Sequence, residues 1–332
     1  MASAPRARSL RSRLPDETGV LVALVVLVVL IGLVRPTFLT PTALFQLLQN
    51  AAFTGMLAIG MVFVVVIRDI DLSVGWIFNL SAIVAAQCML WGIDPILSAG
   101  VGILTGGALG LVNGTLAVSL RIPVIIITLG TAYAYRGLSL VVTGSHSLAP
   151  TDKTSPFFSV WTNKLFDIVP SNGVAFLALA VAMHLLLHRT RFGYRVQAMG
   201  SNPDAARLAG IPVDRTRILV LTLMGLVAGL VGAVFVGFRQ AIDPTIGDNY
   251  LLPVVAAVII GGTPLSGGRG TIWGAVIGAI MIQAIQNATL FLQIDAKWSF
   301  FVTGAVIILA VAVDQLIRRR RTRRAQDVVD AG

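Results

Sequence analysis

Two carboxylates, Asp69 and Asp71, stand beside Arg68 and Ser73 at the end of an apolar block, in Arg68-Asp69-Ile70-Asp71-Leu72-Ser73-Val74-Gly75. If that block crosses a membrane, three kinds of chemistry are open to such a break: capping the next helix, gating or contacting a solute, and carrying a proton. Asp71 or Ser73 can accept backbone N–H bonds at a helix start, and Asp69 has Arg68 or Arg121 as ion-pair partners. Arg136 lies among Tyr133, Tyr135 and Gly137 in a second apolar block. A guanidinium there needs a partner, a water-filled cavity or a path out to the headgroups, and with aromatic neighbours it also suits a sugar hydroxyl. Asn50, Asn79, Asn113, Thr128, Gln283, Gln286 and Asn287 add neutral hydrogen-bonding groups inside apolar blocks. They fit either inter-helix bonds or a neutral polyhydroxylated solute.

Other chemistry is missing from the pattern. No G-x-x-x-x-G-K-[ST] is present, and none of the three lysines follows a glycine, so the chain carries no P-loop of its own. His184 and His188 share a helix face, but H-E-x-x-H is absent, so an interfacial pair is expected rather than a metal site. His146 has no triad partners, and the lone Cys88 lies in an apolar block, where packing is its expected role. No catalytic constellation, metal site or cofactor motif remains.

The elements that must position these residues follow from composition. The chain of 332 residues is 56% hydrophobic and 12% charged. A soluble domain carries about 25% charged residues, so this is a membrane protein. Cutting at the charges leaves ten candidate spans: 19–35, 43–67, 74–91, 95–118, 122–142, 170–188, 217–238, 250–262, 271–292 and 299–316. The first resembles a signal peptide but ends at Arg35-Pro36 without a small-residue cleavage site, so it reads as a retained span. An all-α polytopic fold results, with a basic tail over 1–18, a membrane domain over 19–316 and a second basic tail over 317–332.

The net charge of +10 would suggest nucleic acid in a soluble protein. Here the arginines flank apolar blocks, as the positive-inside rule requires, and nucleic acid is discounted. With both termini in the cytoplasm, 19 Lys and Arg residues fall inside and five outside. The basic island Arg189 to Arg217 is then cytoplasmic, and the 143–169 loop faces outward. Within the island, Asn202, Pro203 and Asp204 read as N-cap, first helical position and a carboxylate at the positive dipole end. Gly210 and Pro212 stop that short helix. Glycines at every fourth position, Gly102 to Gly114, Gly225 to Gly237 (with Ala233) and Gly270 to Gly278, predict close helix crossings. Ile67-x-x-x-x-Leu72-Ser73-x-Gly75 matches Ile260-x-x-x-x-Leu265-Ser266-x-Gly268, while Asn113 to Leu116 resembles Asn287 to Leu290 at a different offset, so no simple repeat follows.

Five stretches in order resemble a known family. They are IDLSVG at 70–75, NGTL with RIPVIIITLGTAYAYRGL at 113–138, AMGSNPDAARLAGI at 198–211, IIGGTPLSGGRGTIWGAVIGA at 259–279 and AVAVD at 310–314. Together they resemble the membrane permeases of bacterial ABC sugar importers of the ribose, xylose, arabinose and galactose type, from about residue 20 to 316. The resemblance implies an inner-membrane subunit that pairs with a second, identical or homologous permease. It also implies two cytoplasmic ATPase subunits, an external solute-binding protein and a small sugar substrate. In such permeases the loop between the sixth and seventh spans carries the coupling helix, which here corresponds to Gly200, Asn202, Ala205, Ala206, Arg207, Gly210 and Ile211. Asp71, Ser73, Asn113, Thr128 and Arg136 are the candidates for the substrate pathway or its gate. Trp76, and Pro264-Leu265-Ser266 in the glycine-rich turn, depart from the usual pattern. Two rival readings are an ion-coupled secondary transporter using Asp69, Asp71 or Asp314, and a passive channel.

Overall fold

A computed structural model describes residues 17–151, 153–162, 164–165 and 169–293, with 298, 301, 304, 305 and 308. Most of the N-terminal tail, most of the expected tenth span, Asp314, the AVAVD stretch and the C-terminal tail lie outside the described residues.

The other nine expected spans are helices: α1 Thr18–Val34, α2 Pro41–Val66, α3 Val74–Leu90, α4 Pro95–Leu120, α5 Val124–Thr143, α7 Ser171–Arg189, α10 Val213–Arg239, α11 Leu251–Ile260 and α12 Ile272–Phe291. Six of them, α2, α4, α5, α7, α10 and α12, are long and apolar enough to cross a membrane. Their starts are chemically marked. Thr40 before α2 accepts from Ala43 N, and Asp94 before α4 accepts from Ile96 N and Leu97 N, with Pro41 and Pro95 at the first helical positions. Thr271 caps α12 by accepting from Gly274 N at 3.1 Å. These caps satisfy backbone donors that lipid cannot.

Helix α2 is the centre of the bundle. From Ala51 to Val66 it is buried on every side, as expected of a helix that is apolar all round. On one flank α4 crosses α10 through the two glycine stripes. A Cβ at Gly106 or Gly110 would strike the carbonyl oxygens of Gly225 or Leu221, and one at Gly225 would strike that of Gly106. The third stripe does similar work, with Gly274 and Gly278 set against Gly261 and Ala257 of α11. Between helices in lipid, such close backbone approach supplies the van der Waals contact that holds the crossing.

The outer-loop expectation is refined by α6, Pro156–Thr162, whose Phe157 and Phe158 are buried. A Cβ at Gly237 of α10 would meet Trp161, so this helix is seated on the end of α10. A two-residue antiparallel pair, β1 Lys164–Leu165 with β2 Val169–Pro170, follows.

The basic island is more helical than its sequence suggests. It folds as α8, Arg191–Ser201, and α9, Pro203–Leu208, at the end of the bundle where α2 stops. The matching stretches at 67–75 and 260–268 are neighbours there. Each follows the end of a helix, and Gly268 N donates to Val66 O at 2.9 Å.

Candidate functional site

Two places bring the sequence candidates together. The first is the α8–α9 corner. Asn202 accepts from Asp204 N and Ala205 N, both at 3.1 Å, so α9 begins where the cap residue requires. Gly210 ends it with φ +79°, a left-handed conformation that glycine adopts without strain. Arg207 reaches Asp204 and Asp214 at 3.6 Å each, bracing α9 against the start of α10. Ala206 is buried, while Asn202, Ala205, Arg207 and Gly210 are exposed.

Leu208, the last residue of α9, is 91% exposed, an apolar knob. Its one sequence signal is its place beside Arg207 on so short a helix. Gly200 sits below, at the end of α8. A Cβ there would fall on Val66 O, and Arg68 donates from Nε to Gly200 O at 2.5 Å and from Nη2 to Ser201 O at 2.6 Å. Arg68, with φ 69°, therefore ties the end of α2 to the corner instead of pairing with Asp69. Asp69 also misses its other expected partner, Arg121, and pairs with Arg217 of α10 at 2.8 Å. Burial holds the Asp69 carboxyl above its usual range, while the Arg217 charge and hydrogen bond pull the other way.

The second place is the break before α3. Asp71 Oδ1 accepts from Ser73 N at 2.8 Å and from Ser73 Oγ at 2.6 Å. Asp71 therefore closes an Asx-type turn, and Ser73 makes no side-chain cap bond to the helix. Asn113 Nδ2 donates to Ser73 Oγ at 2.8 Å, and Tyr135 Oη donates to Asn113 Oδ1 at 2.9 Å. Thr128 Oγ1 accepts from Leu72 N at 3.0 Å. Asp71, Ser73, Asn113 and Thr128 are all wholly buried. They form a polar brace joining α3, α4 and α5, so in this conformation they do not line open space. Tyr135 belongs to the brace as well, its hydroxyl hidden in the sequence by the aromatic setting around Arg136.

Arg136 is separate from the brace. It pairs with Asp248 at 3.3 Å, both side chains are about half exposed, and its guanidinium lies 5.2 Å from the Trp76 ring centroid. Asp248 sits in a 3₁₀ turn, Ile246–Asn249, in the connector between α10 and α11.

Among the other polar groups, Asn79 Nδ2 donates to Pro244 O at 2.6 Å, and Gln283 Nε2 donates to Asn287 Oδ1 at 2.9 Å. Asn50 and Asn287 share a cavity of about 280 Å³ with Gln46, Arg239 and Phe291. His184 and His188 lie 4.6 Å apart and line another of about 280 Å³ with Glu17, Arg269 and Thr271, whose hydroxyl bonds Glu17. Among the described residues no three metal-ligating side chains converge.

Apolar helices, glycine-packed crossings and a capped helix standing off one end define an all-α polytopic membrane protein. Residues 43–311 match the family described as branched-chain amino acid transport system / permease component, and the chain belongs to that family. It is similar to the ribose import permease protein of Bacillus subtilis, 36% identical over 90% of this chain and 93% of that one. The L-arabinose ABC transporter permease of Azospirillum brasilense is 34% identical over 97% and 94%. The autoinducer 2 import system permease of Yersinia enterocolitica is 35% identical over 93% and 87%. The chain is thus a permease subunit of an ABC-type importer, a bacterial multi-pass inner-membrane protein.

Proposed function

We propose that this permease forms the membrane pathway for a monosaccharide or similar polyol delivered by an external binding protein, and works by alternating access with a second permease copy. Two cytoplasmic ATPase subunits drive it by docking on α9, with Asn202, Ala205, Arg207, Gly210 and Ile211 facing the partner and the buried Gly200 and Ala206 seating this coupling element on the bundle. Both termini are cytoplasmic in this arrangement, as the 19-to-five charge bias favours. The observation that carries the reading is α9 itself. It is capped at both ends, raises Leu208 into solvent and follows directly on the end of α8, which Arg68 ties to the central helix. Such a helix can pass a push from a docked partner into the bundle without first melting.

The pathway wall is assigned to Arg136. Asp71, Ser73, Asn113 and Thr128 act as the gate behind it, holding the start of α3 against α4 and α5 until the helices move. Relatives named for ribose, L-arabinose and autoinducer 2 support a small, neutral, oxygen-rich solute. The deciding experiment is uptake by vesicles containing the permease, its ATPase and its binding protein. ATP-dependent uptake that vanishes without the ATPase is expected. Uptake that persists without ATP and collapses with the proton or sodium gradient would establish the secondary-transporter alternative instead.

A further inference from the structure

The connector from Gln240 to Tyr250 does not stay at the end of the bundle. Helix α10 ends at Arg239, at the end opposite α9, and the chain then turns back along α3. Pro244 O accepts from Asn79, five residues into α3, and Gly247 lies against Gly75 in the first turn of α3. A Cβ on either glycine would strike the other's carbonyl oxygen, so this is backbone-to-backbone contact.

The start of α3 is itself deep. Ser73 bonds Asn113, which is seven residues before the end of α4, or roughly 10 Å at 1.5 Å per residue. Arg136 likewise lies seven residues, roughly 10 Å, from the far end of α5. The 3₁₀ turn and its ion pair therefore sit well inside the span, approached from one end.

The connector is polar on its open side. Asp243, Thr245, Asp248 and Asn249 are all exposed. Asp243 is held by Thr245, whose N and Oγ1 donate to its Oδ1 at 2.7 and 2.6 Å. Irregular backbone and carboxylates at this depth are incompatible with lipid and compatible with a water-filled cavity. The Arg136–Asp248 pair is neutral as a unit, keeps spare donors and acceptors, and has its guanidinium over the ring of buried Trp76, 5.2 Å from the centroid. A planar donor fork beside a carboxylate suits adjacent hydroxyls, whereas a charged solute would have to break the pair.

We propose that the irregular segment Asp243 to Asn249 leading into α11, with Arg136, is the wetted wall of the pathway, and that Arg136 and Asp248 on Trp76 are its binding station for a neutral polyhydroxylated solute. The binding role rests on the permease reading above; the wetted wall does not.

Cys88 is buried, so single cysteines report cleanly. Asp248→Cys, Asn249→Cys and Leu104→Cys, the last on an exposed apolar position of α4, are made in the Cys88→Ala full-length chain and treated in vesicles with a charged methanethiosulfonate. Reaction at 248 and 249 at least about tenfold faster than at 104 is expected, since the reagent is excluded from hydrocarbon. Equal, slow reaction at all three positions overturns the wetted wall. In the assembled transporter, uptake of a panel of labelled aldopentoses and aldohexoses is measured for Arg136→Lys and Asp248→Asn. A rise of about tenfold in the half-saturating concentration, the loss of one charge-assisted contact, is expected for the sugar that is carried. Wild-type saturation in both variants, with fast thiol reaction, overturns the binding station and leaves the wall. Absence of ATP-dependent uptake in the wild type would instead count against the importer reading, with the thiol pattern still judging the wall.

Discussion

Replacing Gly200 with alanine tests how force passes between the docking corner and the bundle. The added Cβ meets Val66 O, Val66 C and Gly268 N, all of them backbone atoms, so no flexible side chain can give way. Ordinary contact distances require α8 to retreat by on the order of 1.5 Å. That movement strains the Gly268 N–Val66 O bond of 2.9 Å and the two Arg68 bonds to Gly200 O and Ser201 O. Overpacking costs about 1–3 kcal/mol and one lost hydrogen bond about 1 kcal/mol, for a total of about 2–4 kcal/mol. At about 1.4 kcal/mol per tenfold, the seated corner becomes roughly 30- to 700-fold less favoured over a displaced one. Two assays are needed: thermal unfolding of the purified permease, and ATP hydrolysed per solute carried in the reconstituted complex. The expected result is a lowered unfolding temperature together with ATP hydrolysis that no longer tracks uptake. Gly173→Ala in α7 is the control, because nothing lies within 4 Å of its Cβ and it stands outside the coupling corner. If Gly200→Ala kept wild-type stability and coupling, the corner would not be the load path.

Arg217→Ala leaves Asp69 partly buried without its cation. A loss of about 2 kcal/mol is expected, below the 3–5 of a fully buried pair, and Asp69→Asn in the same chain should recover much of it in thermal unfolding. Gly106→Leu or Gly225→Val should separate α4 from α10 and prevent a stable, monodisperse permease by gel filtration, whereas Gly130→Ala, with open space around its Cβ, should purify normally. Asn202→Ala removes the cap of α9, worth about 1 kcal/mol, and should weaken ATPase pull-down while Asn202→Asp restores it. Arg207→Glu breaks two exposed ion pairs of little worth to stability, so unchanged unfolding with lost ATPase stimulation is expected; unchanged stimulation would remove Arg207 from the coupling surface.

Much of the architecture was legible in the chain itself. Apolar blocks must satisfy their backbone by internal hydrogen bonds in lipid, so nine helices, six of them long enough to cross a membrane, could be located within a few residues of their observed ends. Helix α9 was legible because its start and stop are local: Asn202 caps its own neighbours and Gly210 takes a conformation that its own lack of a Cβ permits. Helix α8 was missed because Arg191 to Ser201 is polar along much of its length, and its Gly193, Val196, Met199 and Gly200 reveal a buried side only once α2 and α7 are beside them.

Long-range pairing was settled by tertiary structure alone. Asp69 chose Arg217 over its sequence neighbours, since α10 brings that guanidinium across 148 positions of chain and Arg68 is already committed to the carbonyls of Gly200 and Ser201. By residue type the polar groups of the α3 break are equally fit to touch a solute or to bind one another. Their complete burial and mutual hydrogen bonds follow from where α4 and α5 set Asn113, Thr128 and Tyr135. Residue types therefore determined that this chain spans the membrane and carries a capped helix at one end. Which polar groups are buried against one another, and which, like the Arg136–Asp248 pair, stay half exposed, depended on backbone approaches such as Gly75 to Gly247, because depth in the membrane belongs to the packed bundle and to no single segment.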